Sequence, residues 1–181
     1  MELLQIQVTY QPEEDRILVK FSFSDAGPDG ARQEIRAHIT RRLLLQLWPT
    51  TLRALETQVG LNRPEAAHAS ADIVQMEHES SLKQMKEDGG FTDPYEADAQ
   101  AYPRGESPLL IHTINFNIHA DAPICLQFFP VGEAAFEINL PENLVHGFCS
   151  LLQAAAREAD WGVALVIPGA EHGTPAPHRL N

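Results

Sequence analysis

Apolar and polar positions alternate in two separate stretches of the chain, and each stretch then changes to a helical period. In the first, Leu4, Ile6, Val8 and Tyr10 share one face while Gln5, Gln7, Thr9 and Gln11 share the other, the period-two signature of a half-buried strand. Pro12 to Asp15 turns the chain. Ile17, Val19, Phe21 and Phe23 then alternate with Lys20, Ser22 and Ser24. Residues 25–30 are rich in types that accept turn dihedrals, so a third strand is expected through Ile35, Ala37 and Ile39. Thr40 is placed to cap a helix carrying Leu44, Trp48, Leu52, Leu55 and Val59 at intervals of three and four. Pro49 predicts a bend or short break near Leu47 and Trp48, and Gly60 a stop.

The second stretch repeats the order with other residues. Leu110, His112, Ile114, Phe116 and Ile118 form one strand face, a turn follows at 120–123, and Ile124, Leu126 and Phe128 form the next face. Val131-Gly132-Glu133 leads into Phe136, Ile138 and Leu140, and Pro141 opens a helix reaching about Asp160. Val163 to Ile167 is an unbroken apolar run, which predicts a last strand covered on both faces or paired centrally.

The pattern predicts an α+β fold of two βββα halves, with a mainly antiparallel sheet, helices packed on one face and an extra central helix. Leu43, Leu44, Leu47 and Trp48 align at a constant offset with Leu144, Val145, Phe148 and Cys149, yet few aligned residues are identical. An internal duplication and two independent hairpin-plus-helix runs both fit that pattern. The expected divisions are a first half over 1–60, a central helix and acidic connection over 61–108, a second half with a final strand over 109–168, and a mobile tail over 169–181. The central helix is expected from Asn62 to Asp88, with sparse apolar positions, and 89–108 as a long surface connection.

With 44% hydrophobic residues in 181, the chain has enough apolar material for a core. Its 25 acidic and 13 basic residues leave a net charge of −12, which repels phosphate backbones and anionic lipid heads, so no nucleic-acid or membrane partner is expected. The amino-terminal residues have no basic-then-apolar leader pattern, and a cytoplasmic location is expected. Cys125 and Cys149 read as small core residues of a reducing compartment.

Candidate chemistry is thin. Eight histidines invite a metal reading, and His68 and Asp72, four apart on the central helix, are the best local pair, although a solvated helix face explains them as well. His78, between Glu77 and Glu79, reads as the same solvated face. His112 interrupts an inward strand face and is either a satisfied core residue or a ligand-binding one. Arg41 and Arg42, with Arg36 and Arg53, form the only basic concentration and could receive an anion at a helix N-terminus or pair with Glu34 or Glu56. No nucleophile elbow, paired Cys-x-x-Cys or phosphate-binding glycine loop is present. No catalytic residue or cofactor is therefore expected.

Phe91, Tyr95 and Tyr102, in the acidic connection, have the composition of a segment that completes its burial against a partner. The expected function is a non-catalytic module that binds another protein or its own copy, as a homodimer. The competing expectation is a small-molecule- or metal-binding protein, conceivably an enzyme, with a pocket between the halves near His112.

Overall fold

The computed structural model describes residues 2–24, 31–89, 94–96 and 99–168. The turn expected over 25–30, Phe91 and the tail 169–181 lie outside the described residues. The fold is α+β, with strands β1 (Glu2–Gln11), β2 (Arg16–Ser24), β3 (Arg32–Ile39), β4 (Leu109–Asn117), β5 (Ile124–Pro130) and β6 (Phe136–Leu140). The helices are α1 (Arg41–Asn62), α2 (Ser70–Glu87) and α3 (Glu142–Glu158). The six strands form one open sheet in sequence order. Every pairing is antiparallel except β3 with β4, which run parallel through Ala37–Leu109 and His38–Leu110.

Register follows the apolar alternation. Ile6, Phe21 and Ile35 stand in one cross-strand row, Val8, Val19 and Ala37 in the next, and Tyr10, Ile17 and Ile39 in a third. These rows merge with the inward residues of β4 to β6 and of the helices into one core. The sheet is strongly curled. In a flat sheet β2 and β5 would lie about 14 Å apart, three strand spacings, yet the rings of Phe21 and Phe128 meet edge-on with centroids 5.5 Å apart. Phe148 of α3 fills the same space, 6.1 Å from Phe21.

Two strands depart from simple alternation. In β1 the register shifts between Leu3 and Gln5, so Leu4 is the extra residue of a bulge and is 43% exposed, while Leu3 packs on the core. In β4 the shift falls between Ile111 and Thr113. His112, expected inward, is therefore the bulged residue and is exposed, and Ile111 takes the buried position. An extra residue on one strand reverses the faces of everything before it.

The helices also refine the expectation. Helix α1 is continuous through Pro49, because Leu45, whose carbonyl the proline leaves without its helical donor, is half-exposed and water can serve it. The expected single central helix divides into a 3-10 helix over Pro64–Ala69 and α2. No residue of that 3-10 stretch is buried, so no packing face holds it at the α pitch. Helix α3 begins one residue after Pro141, which occupies the N-cap position.

The last expected strand does not form. Over 163–167 the chain has no strand neighbour, and side chains take its carbonyls: Trp48 Nε1 donates to Val166 O at 3.0 Å and Gln153 Nε2 to Leu165 O at 2.7 Å. Trp161 and Ile167 anchor this segment in the core. Trp161 also donates to Asp15 Oδ1 at 2.6 Å, which ties it to the β1–β2 turn and, with the Tyr10 hydroxyl, holds the Asp15 carboxyl below its ordinary range.

Both cysteines are free thiols, and Cys149 is fully buried, its thiol pushed up to about 12 by burial. A thiolate-selective reagent is accordingly expected to leave Cys149 untouched in the native protein and to titrate both thiols only after denaturation. Rapid native labelling of Cys149, mapped by mass spectrometry, would contradict that placement.

Candidate functional site

Among the described residues, strand β1 is an edge of the sheet, paired on one side only. Its sequence from Leu3 to Tyr10 contains no charged residue. Long edge strands ordinarily carry lysines, prolines or a covering element, because unpaired N–H and C=O groups invite another strand. A cavity of about 640 Å³ runs beside this edge. Consecutive residues Leu3 to Thr9 line it on the sheet side, Leu144, Gly147, Phe148 and Leu151 of α3 line it on the helix side, and Met85 and Tyr95 contribute as well. Consecutive strand residues point alternately to the two sheet faces, so a cavity that touches all of them must follow the strand's free edge.

The polar face of β1 to β3 is occupied within the chain. Tyr95 donates its hydroxyl to the buried carboxylate of Glu34, and Arg36 Nε lies 2.5 Å from the other oxygen of Glu34. Arg36 also reaches the Tyr102 hydroxyl at 3.2 Å and stacks over its ring at 4.6 Å. Lys20 Nζ sits 5.4 Å from the Tyr95 ring centre. Burial and the Glu34 carboxylate push the Tyr95 phenol well above its ordinary range. Gln100 N and Glu34 N complete the attachment through backbone hydrogen bonds to Arg32 O and Ala101 O. Tyr95 and Tyr102 are thus half-buried within the chain, against the polar face of β1 to β3.

The remaining site candidates are dispersed. His68 and Asp72 are both exposed, the first in the 3-10 stretch and the second in the first turn of α2. Arg41 and Arg42 are exposed at the start of α1, whose N-terminal amide at Leu43 is capped by the Thr40 hydroxyl. Arg42 and His112 line one depression with Thr40, Gln46 and Thr113, and Arg41 is not part of its lining. Of the four arginines expected to pair with Glu34 or Glu56, Arg36 pairs with Glu34. The histidines His38, His112 and His146 do not gather: their ring nitrogens hydrogen bond to Gln11, Thr113 and His78 respectively.

No known protein family, curated protein or solved structure matches this chain.

Sequence reading missed the α2–α3 interface. His78 is 7% exposed and His146 fully buried, so neither belongs to a solvated face. Their Nδ1 atoms are 3.3 Å apart, and burial lowers each ring to about 4, which keeps both neutral near pH 7. Glu77 beside them is pushed up to about 7 by burial and by its hydrogen bond with Glu142, against the opposing effect of Arg63 at 2.8 Å. The available signal was the helical spacing of Val74 and His78, four apart on the buried side of α2. Among the described residues no helix is long and apolar enough to cross a membrane.

Proposed function

We propose that this protein is a non-catalytic self-associating module whose working surface is the free edge of β1, paired antiparallel with β1 of a second copy. The observation that carries the reading is an edge strand of ten residues, uncharged from Leu3 to Tyr10, with an apolar slot alongside it. Strand addition takes its affinity from backbone hydrogen bonds and its specificity from alternate side chains in neighbouring pockets. A second β1 matches the first in length and chemistry, and a twofold arrangement is the commonest closed oligomer. The two βββα halves, alike in their order of elements, would then serve as the scaffold that presents this edge in a reducing, cytoplasmic setting suited to two free thiols.

The net charge of −12 on each chain opposes association at long range, but salt at physiological strength screens charges beyond about 8 Å. Dimerisation should therefore tighten with added salt. Light scattering at tens of micromolar is expected to give twice the 20.1 kDa chain mass. The Gln7→Lys, Thr9→Lys double variant, which opposes like charges across the joint, should weaken association at least about tenfold while leaving the fold intact. A wild-type protein that stays monomeric throughout that range overturns the reading. A small anion held by Arg42 and His112 is the competing use of the molecule, supported by their shared depression. A rise in melting temperature with phosphate that His112→Ala abolishes would favour it.

A further inference from the structure

Hydrogen bonding leaves one side-chain group at the α2–α3 interface incomplete. Glu77 of α2, Glu142 at the start of α3 and His146 one turn later each bring one donor atom within 4.8 Å of the others, the one such trio among the described residues. His146 is fully buried, and its Nε2 has no hydrogen-bond partner among the described residues. Its Nδ1 faces Nδ1 of His78 at 3.3 Å, so one ring must donate and the other accept. When His146 donates, its Nε2 is an unprotonated lone pair in a dry site. When it accepts, its Nε2 carries a buried proton with no acceptor. The first arrangement leaves no donor unmet, and it is the one in which a histidine ligates metal, the second nitrogen being fixed by a neighbour.

The carboxyl groups of Glu77 and Glu142 lie beside the His146 ring from two different helices. One cation can meet all three ligand atoms. We propose that Glu77, Glu142 and His146 bind a divalent transition-metal ion, with Zn²⁺ the best fit, and that His78 is a positioning residue that holds His146 in the ligating tautomer. Imidazole nitrogen with carboxylate oxygens is a donor set that Zn²⁺ accepts, and three protein ligands leave a position for water. Donors on a tetrahedral zinc ion with bonds near 2.0–2.1 Å are about 3.3 Å apart. The trio must therefore draw together on binding. Glu142 and His146 occupy a different side of α3 from Leu144, Phe148 and Leu151, so this site is separate from the β1 slot and stands independently of it.

The test uses the full chain, freed of metal by chelation and dialysed against micromolar ZnCl₂ or CoCl₂. One ion per chain is expected by elemental analysis, with a higher melting temperature and, for Co²⁺, the visible absorption of a low-coordinate protein site. Glu142→Gln and Glu77→Gln should each lower Zn²⁺ affinity at least about tenfold. Should the first fail to fold, the second, at a side chain 19% exposed, keeps the test decisive. The His68→Ala, Asp72→Ala double variant should bind as the wild type does. Folded wild-type protein that takes up no stoichiometric ion overturns the proposal, as does undiminished affinity in both glutamine variants or loss of binding in the His68, Asp72 double variant.

Discussion

Replacing Phe128 by alanine is expected to cost about 3–5 kcal/mol of stability, the range for emptying a large aromatic site that cannot collapse. Phe128 is fully buried, meets Phe21 edge-on at 5.5 Å and stacks on Phe136 at 4.9 Å with the planes 3° from parallel. It therefore joins β2 to β5 across the curl of the sheet, and removing it opens a void between strands that are not neighbours. Against a total of about 5–15 kcal/mol for a domain, that loss leaves little margin. Phe129, next in sequence but half-buried on the opposite face, provides the comparison: its alanine variant should cost far less. Urea denaturation of both variants measures the difference. Equal losses would mean that the sheet does not close on Phe128.

Stability of the metal-free protein is expected to fall as pH drops from 6.5 to 4.5. The sign follows from proton counts in the two states. His78 and His146 titrate near 4 in the fold and near 6.5 in the unfolded chain, so across this interval the unfolded state holds two protons that the native state refuses. Glu77 works the other way, titrating near 7 in the fold and near 4.5 outside it, so there the native state holds one proton more. His38, also lowered by burial, adds to the unfolded side, so the unfolded state keeps a net proton excess and stability falls on acidification by on the order of 1 kcal/mol per pH unit. Glu77→Gln removes the opposing proton and should steepen that slope. Denaturant midpoints at pH 6.5, 5.5 and 4.5, with chelator present, give the answer, and a flat or rising profile on acidification would refute the buried neutral pair.

Period-two alternation placed all six strands, because each has a face turned to the core and the register of β1 to β3 lines those faces up row by row. Leu4 and His112 were misplaced for a shared reason. A bulge inserts one residue without altering composition, so the apolar beat continues in sequence while the backbone reverses it in space. The run from Val163 to Ile167 was misread because apolar content alone does not say whether another strand or a pair of helix side chains will satisfy the backbone. The contacts of Tyr95 and Tyr102 with Glu34 and Arg36 span more than sixty residues and have no local period to betray them. The same holds for Glu77, Glu142 and His146, whose proximity depends on how α2 lies on α3. Single-helix spacing could mark His78 as inward, but not what it would meet there.

The lone parallel pairing of β3 with β4 also sets an order of events during synthesis. Some seventy residues separate Ala37 from its partner Leu109, so at about 5–20 residues per second β3 waits roughly 4–14 s for its neighbour to emerge. Throughout that wait its outer edge is open to strands of other nascent chains. The alternation of Arg32, Glu34 and Arg36 along β3 furnishes the charged guard that discourages such encounters. β1 carries no equivalent guard from Leu3 to Tyr10, so the two borders of the amino-terminal three-stranded unit differ in kind: one is charged until its own chain arrives, and the other is uncharged throughout.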